Sequence, residues 1–383
     1  MKEHESLYFC PMYILILVPN MKYVTKYKKE NYERIWIRKD IAEKLKEWAK
    51  TKGLTLSEAV EELLKIINVG AQQFSVDIGA QLLDQLSDNE IRDIIAEELL
   101  KYAATKFGSS PREKLLEYIG GDWYIKDEII ALLSRSGAKT LVEVFGGSGV
   151  ISMYAPRTIF KNIIYNDKDE LLYSFFKVLR EKPKELMKLL ILMPVSRQLN
   201  NELASVVESG VYKKLSDVEK AAILFYLVRT SFDGQVFGGF RIRKTQNTQA
   251  ELVRKILTIA EVAKKWIDVV VENKDFREII PLYDSESTVF YCDPPYVVIN
   301  STSDGYYRLS FTHADMQQLL NMLSKIKGKF VLKLSEEHMQ LSYIKSFAQK
   351  YNVKVVEHYK SSQKTVGEKR TTQRTVLIYN FKA

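Results

Sequence analysis

Short runs of apolar residues alternate with helical patterns along the chain downstream of residue 111. Several of these runs are apolar at nearly every position, which is typical of strands that helices cover on both faces. The pattern therefore predicts an α/β fold with an open sheet. We predict seven strands, at Thr140–Phe145, Asn162–Asn166, Asp268–Glu272, Thr288–Asp293, Lys329–Ser335, Val353–Tyr359 and Arg374–Asn380.

The strand pattern is interrupted between Leu171 and about Lys265, where a long, mostly helical stretch follows the second predicted strand. We interpret this stretch as an insertion between the second and third strands. Upstream of the first strand, the turn-rich segment FGSSP at Phe107–Pro111 predicts a linker. It separates a small, highly charged N-terminal part from the larger α/β part.

The composition adds a basic charge and little else. A formal net charge of +9 and a pI near 9.1 fit a polyanionic partner such as nucleic acid, although many proteins are equally basic. The two cysteines and four scattered histidines exclude a cysteine-based zinc site, so we expect no metal. The apolar run LYFCPMYILILVP is too short to span a bilayer and lacks a signal cleavage site. We therefore expect a cytoplasmic protein that starts at Met1 or Met21.

Two predicted strands end in sequences that suit a nucleoside ligand. In an open α/β sheet, ligands bind beyond the carboxyl ends of the strands. The first strand runs into FGGSG at Phe145–Gly149, whose glycines permit a tight turn close to a ligand. The second is followed by Asp167, which can accept hydrogen bonds from two ribose hydroxyls. The glycine spacing fits neither a dinucleotide fingerprint nor a P-loop. Taken alone, FGGSG is equally a plain turn, but with Asp167 downstream a nucleoside is favoured.

A third strand runs into the sequence DPPY, Asp293 to Tyr296. A rigid turn explains the two prolines, Pro294 and Pro295, but not the Asp and the aromatic residue at the ligand edge. An exocyclic amine becomes a better nucleophile when acceptors bind its two N–H groups, and the Asp293 side chain and the Pro294 carbonyl are suitable acceptors. The prolines fix the backbone, and Tyr296 offers a face for stacking. We therefore interpret DPPY as a turn that binds a flipped base.

From Pro111 to the C-terminus, the chain resembles the adenine-specific DNA methyltransferases of the DNA adenine methylase type. LVEVFGGSG is similar to the first motif of this family, YNDKDELLYSFFKVLRE to its acidic-loop motif, and FYCDPPY to its catalytic motif. YIGGDWYIKDEII at Tyr118–Ile130 resembles the N-terminal cofactor motif, and NKDFREII the segment that contacts the cofactor adenine. The order of the segments, with the insert before the catalytic motif, is that of the alpha class.

The resemblance implies a Rossmann-like methyltransferase fold with a seven-stranded mixed sheet, and a target recognition domain in the insert. It implies direct methyl transfer from S-adenosylmethionine to adenine, without metal or covalent intermediate. Asp293, Pro294, Pro295 and Tyr296 would form the catalytic motif. The residues expected to bind the cofactor are Tyr118, Gly120, Gly121, Phe145, Gly146, Gly147, Ser148, Gly149, Asp167, Asp275 and Phe276.

The chain departs from the family pattern at two places. Asp122 and Trp123 follow the Gly-Gly pair where the family usually has Lys, which leaves open how the methionine end of the cofactor is held. In the insert, RTSFDGQVFGGFRIRK resembles the Arg…Phe-Asn-Gly region of the family, with Asp233 in place of Asn. We expect basic residues here to contact DNA, a solvated basic loop being the alternative: Arg229, Arg241, Arg243 and Lys244.

The N-terminal segment Glu33–Ile67 has a strand–helix–helix pattern, with alternating apolar residues before two amphipathic stretches, and Gly53 is predicted to end the first helix. It is similar to a ribbon-helix-helix domain, in which two chains pair their strands and read the major groove. The similarity implies a homodimer. The alternative is a helical cap on the catalytic domain. The predicted DNA-reading residues are Arg34, Trp36 and Arg38.

We divide the chain into an unassigned segment (1–31), a ribbon-helix-helix-like domain (32–68), a helical connection (69–110), a cofactor half (111–170), a target recognition insert (171–265) and a catalytic half (266–383). The predicted function is adenine methylation of double-stranded DNA. Two alternatives stay open: methylation of cytosine's amine or of RNA, and a DNA-binding regulator with an inactive methyltransferase domain.

Overall fold

A computed structural model of the chain describes residues 22–23, 36–37, 49–50, 52–54, 86–110, 113–117, 121–241, 245–297, 311–359 and 372–382. The contacts divide the chain into two units, Met1–Tyr102 and Ala103–Ala383. Each unit is described by itself below.

In the N-terminal unit, strand β1 (Lys22–Tyr23) pairs antiparallel with β2 (Trp36–Ile37). The predicted ribbon strand therefore has one edge occupied within its own chain, and pairing between two chains stays a prediction. Arg34 and Arg38 lie outside the described residues, and the side chain of Trp36 is not described.

The predicted end of the first N-terminal helix agrees with the structure. Ala49 and Lys50 are helical, and Gly53 follows with a φ of +67°. The Leu54 amide donates to the Ala49 carbonyl at 2.8 Å, which closes the last turn. A left-handed residue at this position is usually glycine, because glycine has no Cβ to clash.

The C-terminal unit is built on a seven-stranded mixed sheet, as the sequence predicts. The strand order is β5-β4-β3-β6-β7-β9-β8, and the five strands from β5 to β7 are mutually parallel whereas β9 runs antiparallel to β7 and β8. The strands are β3 (Thr140–Glu143), β4 (Asn162–Asn166), β5 (Val269–Glu272), β6 (Thr288–Cys292), β7 (Lys329–Ser335), β8 (Asn352–Tyr359) and β9 (Thr372–Tyr379).

Helices connect these strands, and the predicted helical insertion lies between β4 and β5. Among the described helices, none is long and apolar enough to cross a membrane. In chain order they are α1 (Leu86–Phe107), α2 (Lys126–Ser134), α3 (Val150–Tyr154), α4 (Glu170–Glu181), α5 (Pro183–Ile191), α6 (Arg197–Glu208), α7 (Asp217–Thr230), α8 (Thr248–Lys264), α9 (Phe276–Tyr283), α10 (His313–Leu323) and α11 (Ser342–Ala348).

The central strand β6 is buried at all five positions, TVFYC. Its neighbours β3 and β7 contribute Val142 and Phe330 to the same core, and Leu319 of α10 and Ile344 of α11 cover it. A strand covered on both faces gains stability from every side chain, which explains its unbroken apolar sequence. The polar residues that follow β6 therefore begin where the core ends.

The strand order reverses next to β3, because β4 lies on one side of it and β6 on the other. The loops after β3 and β6 leave the sheet in different directions at this point, which opens a crevice at the carboxyl edge. The three sequences predicted to carry chemistry all lie along this edge.

The insert returns to the sheet through Trp266, which is 1% exposed. Its indole stacks on Phe176 of α4 at 4.2 Å between ring centroids and meets the edge of Tyr165 in β4 at 5.3 Å. Gly149, the N-cap of α3, has a φ of +66°, and a Cβ on it would lie 2.7 Å from the Trp266 ring. The end of the insert and the loop after β3 therefore fit together only with glycine at position 149.

Replacing Gly149 should destabilise the fold more than replacing a glycine that is strained but uncrowded. Gly137 has a φ of +74° and no described atom within 4 Å of its Cβ position. We expect Gly137→Ala to cost about 1–2 kcal/mol, from the left-handed backbone alone. Gly149→Ala should cost a further ~1–3 kcal/mol, because Trp266 must move. Urea unfolding of the two variants measures both costs, and equal losses would contradict this account of Gly149.

Candidate active site at the carboxyl edge of the sheet

The buried side chain of Asn166, the last residue of β4, joins the loops that follow three strands. Its Nδ2 donates to the Val144 carbonyl at 2.8 Å and to the Lys274 carbonyl at 3.0 Å, and its Oδ1 accepts from the Lys274 amide at 2.9 Å. Its backbone carbonyl also accepts from the Gly146 amide at 2.8 Å. Asn166 was not among the predicted site residues. The available signal was an amide residue at the end of an apolar strand, directly before Asp167.

The glycine loop after β3 lies directly over β4. The Tyr165 hydroxyl donates to the Gly147 carbonyl at 3.0 Å, and a Cβ on Gly146 would lie 2.1 Å from the Tyr165 ring. Phe145, Gly147 and Ser148 are half-buried, so the loop keeps an accessible side. One side of this loop packs closely on Tyr165 of β4, and the other side is accessible. Such a loop suits a ligand that contacts main-chain atoms.

Asp167 follows β4 and is tied to the glycine loop. Its Oδ2 accepts from the Gly147 amide at 2.9 Å, and its Oδ1 accepts from the Asp169 amide at 2.8 Å. Each carboxylate oxygen can accept more than one hydrogen bond. The two predicted cofactor elements, the glycine loop and the acidic residue, are therefore held side by side.

Asp275 and Phe276 follow β5 at the same edge. Asp275 caps α9 by accepting from the Arg277 amide at 3.0 Å, and it forms a salt bridge of 2.8 Å with Lys168. Burial favours the neutral acid, but the Lys168 ammonium and the amide and guanidinium of Arg277 outweigh it and lower the pKa of Asp275. Phe276 packs against two other rings at centroid distances of 5.7–5.8 Å, and the three form an aromatic cluster: Phe145, Phe276 and Phe311.

The DPPY turn follows β6 at the centre of the edge. Pro294 is buried, while Pro295 and Tyr296 are half-buried. The Tyr296 ring packs at 4.9 Å against the imidazole of buried His338. His338 Nε2 donates to the Val297 carbonyl at 3.3 Å, and Nδ1 contacts the Ser335 hydroxyl at 2.6 Å. Burial lowers the pKa of His338, so the ring is neutral and braces the turn.

The Asp293 carboxylate belongs to a group of buried charges. Lys333 in β7 is 3% exposed, and its ammonium lies 2.8 Å from Asp293 Oδ2 and 2.5 Å from Asp122 Oδ1. The Tyr291 hydroxyl donates to Asp122 Oδ2 at 2.7 Å. Burial raises the pKa of Asp293, Lys333 opposes the rise, and Asp122 adds to it. Asp122, the first departure from the family pattern, is thus a buried partner of Lys333.

Glu143, the last residue of β3, is a second buried carboxyl. It accepts from the Ser152 amide at 2.9 Å and from the Ser152 hydroxyl. Burial raises its pKa to about 8, so the acid is largely protonated at neutral pH. Glu143 was not among the predicted site residues, although it lies within the LVEVFGGSG motif. Its role in the structure is to fix the start of α3 beneath the glycine loop.

Two of the arginines predicted to contact DNA, Arg229 and Arg241, bind the same carboxylate. Arg229 Nη1 and Arg241 Nη1 lie 3.0 Å and 3.2 Å from the two oxygens of Glu117. Burial favours the neutral acid, but the two guanidinium groups outweigh it and lower the pKa of Glu117. The DNA contacts of both arginines stay predictions. Arg243 and Lys244 lie outside the described residues, as do Tyr118 and Gly120 of the first cofactor motif, whereas Gly121 is half-buried beside Asp122.

The loop at 231–240 carries two aromatic side chains that the sequence reasoning did not single out. Phe232 and Phe237 are 51% and 52% exposed, and an antiparallel bridge between Ser231 and Phe240 closes the loop beneath them. Asp233 has a φ of 53°, a conformation that Asn and Asp adopt more readily than other side chains. The replacement of Asn by Asp at this position therefore keeps the backbone of the loop.

Comparison with known proteins agrees with this geometry. Residues 118–364, well over half of the chain, match the D12 class N6 adenine-specific DNA methyltransferases. The chain therefore belongs to this family, and the predicted resemblance and Rossmann-like fold are confirmed. The family match begins at residue 118, so the ribbon-helix-helix similarity of the N-terminal segment has no support from it.

Two relatives of the chain are both named type II methyltransferases. The chain is 23% identical over 229 residues to the type II methyltransferase M1.LlaDCHI of Lactococcus lactis subsp. cremoris, covering 56% of this chain and 78% of the relative. It is 22% identical over 250 residues to the type II methyltransferase M.MjaIII of Methanocaldococcus jannaschii, covering 61% and 85%. Together with the family match, these similarities identify a DNA methyltransferase.

The raised pKa of Glu143 predicts a pH-dependent cost to stability. The folded protein retains this proton up to about pH 8, whereas Glu143 in the unfolded chain loses it near pH 4.5. Between these values a rising pH favours the ionised, unfolded state, so the folded protein loses stability. The stability of Glu143→Gln relative to wild type should therefore increase as the pH rises from 5 to 8. Each kcal/mol of this increase should add ~2–4 °C to the difference in Tm. Thermal unfolding across this range tests it, and a constant difference in Tm would show that Glu143 does not titrate there.

Proposed function

We propose that the protein is an S-adenosylmethionine-dependent methyltransferase that acts on the exocyclic amino group of adenine in double-stranded DNA. The observation that carries this proposal is the position of the DPPY turn beside the glycine loop and Asp167, at one edge of one sheet. A base pocket and a cofactor pocket must adjoin for direct transfer, and this edge offers both.

The residues at this edge fit the proposed cofactor. The accessible side of the glycine loop suits the methionine part, where a side chain at Gly146 would displace Tyr165. The Asp167 carboxylate, held by two backbone amides, suits the ribose hydroxyls. Half-buried Phe145, which packs against buried Phe276, offers aromatic surface for the adenine ring. When bound, S-adenosylmethionine supplies an electrophilic methyl group on a sulfonium sulfur.

The DPPY turn supplies the groups for the target base. We assign the Asp293 carboxylate and the Pro294 carbonyl as acceptors for the two N–H groups of the amine, which concentrates electron density on its nitrogen. The neighbouring prolines hold these acceptors with little reorganisation. Tyr296 provides the stacking face, and His338 supports its ring from behind. An amine inside a duplex is out of reach, so the nucleotide must flip into this turn.

DNA binding is assigned to the insert and to the basic charge of the chain. The exposed Phe232 and Phe237 can contact bases or sugars, and the net charge of +9 favours a polyanion. Arg243 and Lys244 remain candidates for phosphate contacts. The N-terminal segment stays our candidate for a second DNA-binding and dimerising element.

Asp293→Asn should abolish methyl transfer, because it removes the anionic acceptor. It should leave the protein folded, because the volume changes little and Lys333 keeps its ion pair with Asp122. We expect a loss of at least ~10²-fold in rate. The measurement uses labelled S-adenosylmethionine and mixed-sequence duplex DNA, followed by identification of the modified nucleoside. Asp127→Asn, which changes a largely exposed carboxylate on α2, is the matched control and should retain activity.

The product of that experiment discriminates among the candidate functions. Methyladenine made by the wild type and not by Asp293→Asn supports the proposal. Methylcytosine would overturn the assignment of the base and keep the mechanism. DNA binding without any transfer would replace the enzyme with a DNA-binding regulator. Transfer to RNA in preference to DNA would overturn the substrate class.

Asp167→Ala should weaken cofactor binding, because it removes both the predicted acceptor for ribose and the hydrogen bond to the Gly147 amide. We expect a loss of about tenfold or more in affinity, equivalent to about 1.4 kcal/mol. Calorimetric titration with S-adenosylmethionine measures it. Asp268→Ala, which breaks a surface pair with Arg157 remote from the loop, serves as the control. Unchanged affinity in Asp167→Ala would remove this residue from the cofactor site.

A further inference from the structure

Lys333 occupies an unusual place for a lysine. It lies inside β7, a strand whose five central residues are all buried, and its ammonium reaches two carboxylates from different parts of the chain. Asp122 lies within the first cofactor motif, directly after Gly121, and Asp293 begins the DPPY turn. Burying an ammonium costs free energy unless it is paired. The two carboxylates offset this cost, but they do not explain why a charged residue stands at this position of the strand.

We propose that Lys333 is a positioning residue for methyl transfer, which holds the Asp293 carboxylate ionised and oriented toward the target amine. This inference rests on the proposed function of the DPPY turn. The 2.8 Å contact ties Oδ2 of Asp293 to Lys333 in β7. We assign the other oxygen, Oδ1, to the incoming amine. Asp293 is 19% exposed, which leaves the carboxyl accessible from the crevice.

Asp122 completes the arrangement by holding Lys333 from the other side. Its Oδ1 binds the ammonium at 2.5 Å, and its Oδ2 accepts from Tyr291 at 2.7 Å. Both Asp122 oxygens are thereby engaged, at the position where the family usually has a lysine. In this chain the cation next to the catalytic motif comes from β7, and an acidic residue occupies the motif position.

The proton balance of the reaction requires an ionised Asp293. The nitrogen lone pair of the amine forms the N–C bond, the S–C bond breaks, and its electron pair stays on sulfur. The nitrogen then loses one proton, which Asp293 accepts and later passes to water. Lys333 keeps its own protons throughout. Burial disfavours the ammonium, but the Asp122 and Asp293 carboxylates outweigh this effect and raise the pKa of Lys333.

Three of the other titratable groups around Asp293 stay neutral from pH 5.5 to 9, and the fourth, Glu143, is largely protonated below about pH 8. Burial raises the pKa of Tyr291, Cys292 and Tyr296, and it also raises that of Glu143 behind Tyr291. The ionisation of Asp293 is therefore governed by two neighbours of opposite sign, Lys333 and Asp122. Removing either one should move the pH profile of methyl transfer, and the two shifts should have opposite directions.

The experiment measures the single-turnover rate of methyl transfer to duplex DNA from pH 5.5 to 9, at saturating S-adenosylmethionine. In the wild type the rate falls as the pH drops through the pKa of Asp293. Lys333→Met removes the positive neighbour, so this acid limb should move up by at least ~1 pH unit. The rate at pH 7 should fall about tenfold or more. Asp122→Asn removes the negative neighbour, so its acid limb should move down.

Lys329→Met is the matched control, because Lys329 lies at the opposite end of the same strand and donates to the Glu286 carbonyl. Its profile should coincide with that of wild type. Calorimetry should give unchanged affinity for S-adenosylmethionine in all three variants, and circular dichroism reports the fold. A merely structural role for Lys333 would lower the rate at every pH and leave the position of the limb unchanged.

Opposite shifts in Lys333→Met and Asp122→Asn support the proposal. An unshifted limb in a folded Lys333→Met overturns it. If Lys333→Met does not fold, Asp122→Asn decides alone: a lowered limb supports the proposal, and an unchanged or raised limb overturns it. Failure of the wild type to methylate DNA is a different result, since it rejects the proposed function itself. Methylation by the wild type with the wrong pH response rejects only the role of Lys333.

Discussion

The side chain of Asn166 joins the ends of three parallel strands, and the rest of the site depends on it. A buried primary amide has two donors and one strong acceptor, and the structure uses them on Val144 after β3 and Lys274 after β5. Leaving such groups unpaired would cost about 1–3 kcal/mol each. The glycine loop, Asp167 and Asp275 follow directly from these anchored residues. Their mutual spacing is therefore set by hydrogen bonds inside the sheet edge, before any ligand is bound.

The buried charges beside the DPPY turn obey a second constraint. One ammonium between two carboxylates contacts both and offsets one of their two charges, whereas removal of a single partner from a buried ion pair costs about 3–5 kcal/mol. Such groups are weak evidence for stability, because apolar replacements of equal volume often stabilise as well. Their location at the strand end that carries Asp293 fits a chemical role better than a structural one.

The insert is connected to the same framework at two places, one within the insert and one where it ends. Glu117, which lies just before the first cofactor motif, binds Arg229 at the end of α7 and Arg241 after the exposed aromatic loop. At the return to the sheet, Trp266 packs under Gly149 and against Phe176. The element assigned to DNA and the element assigned to the cofactor are thus braced against shared residues, which gives the exposed loop a fixed base.

The sequence by itself determined the seven strands, the insertion after the second of them, the glycine loop and the DPPY turn. These features depend on local causes: unbroken apolar runs mark strands buried on both faces, and glycine or proline fixes the backbone where a strand ends. The sequence also marked Asp122 as a departure from the family, but gave no reason for it. Only the tertiary structure paired Asp122 with Lys333, which lies 211 residues further along the chain.

The roles of several other polar residues could not be predicted from the sequence for the same reason: Asn166, Glu143, His338 and the arginines of the insert. Each is an ordinary polar residue in its own segment, and its role comes from a partner on another strand or helix. Arg229 illustrates the point, since its basic neighbourhood predicts a DNA contact, whereas the fold turns its guanidinium toward Glu117. Periodicity and turn residues report local backbone preference, but the pairing of buried polar groups is decided when distant segments pack together.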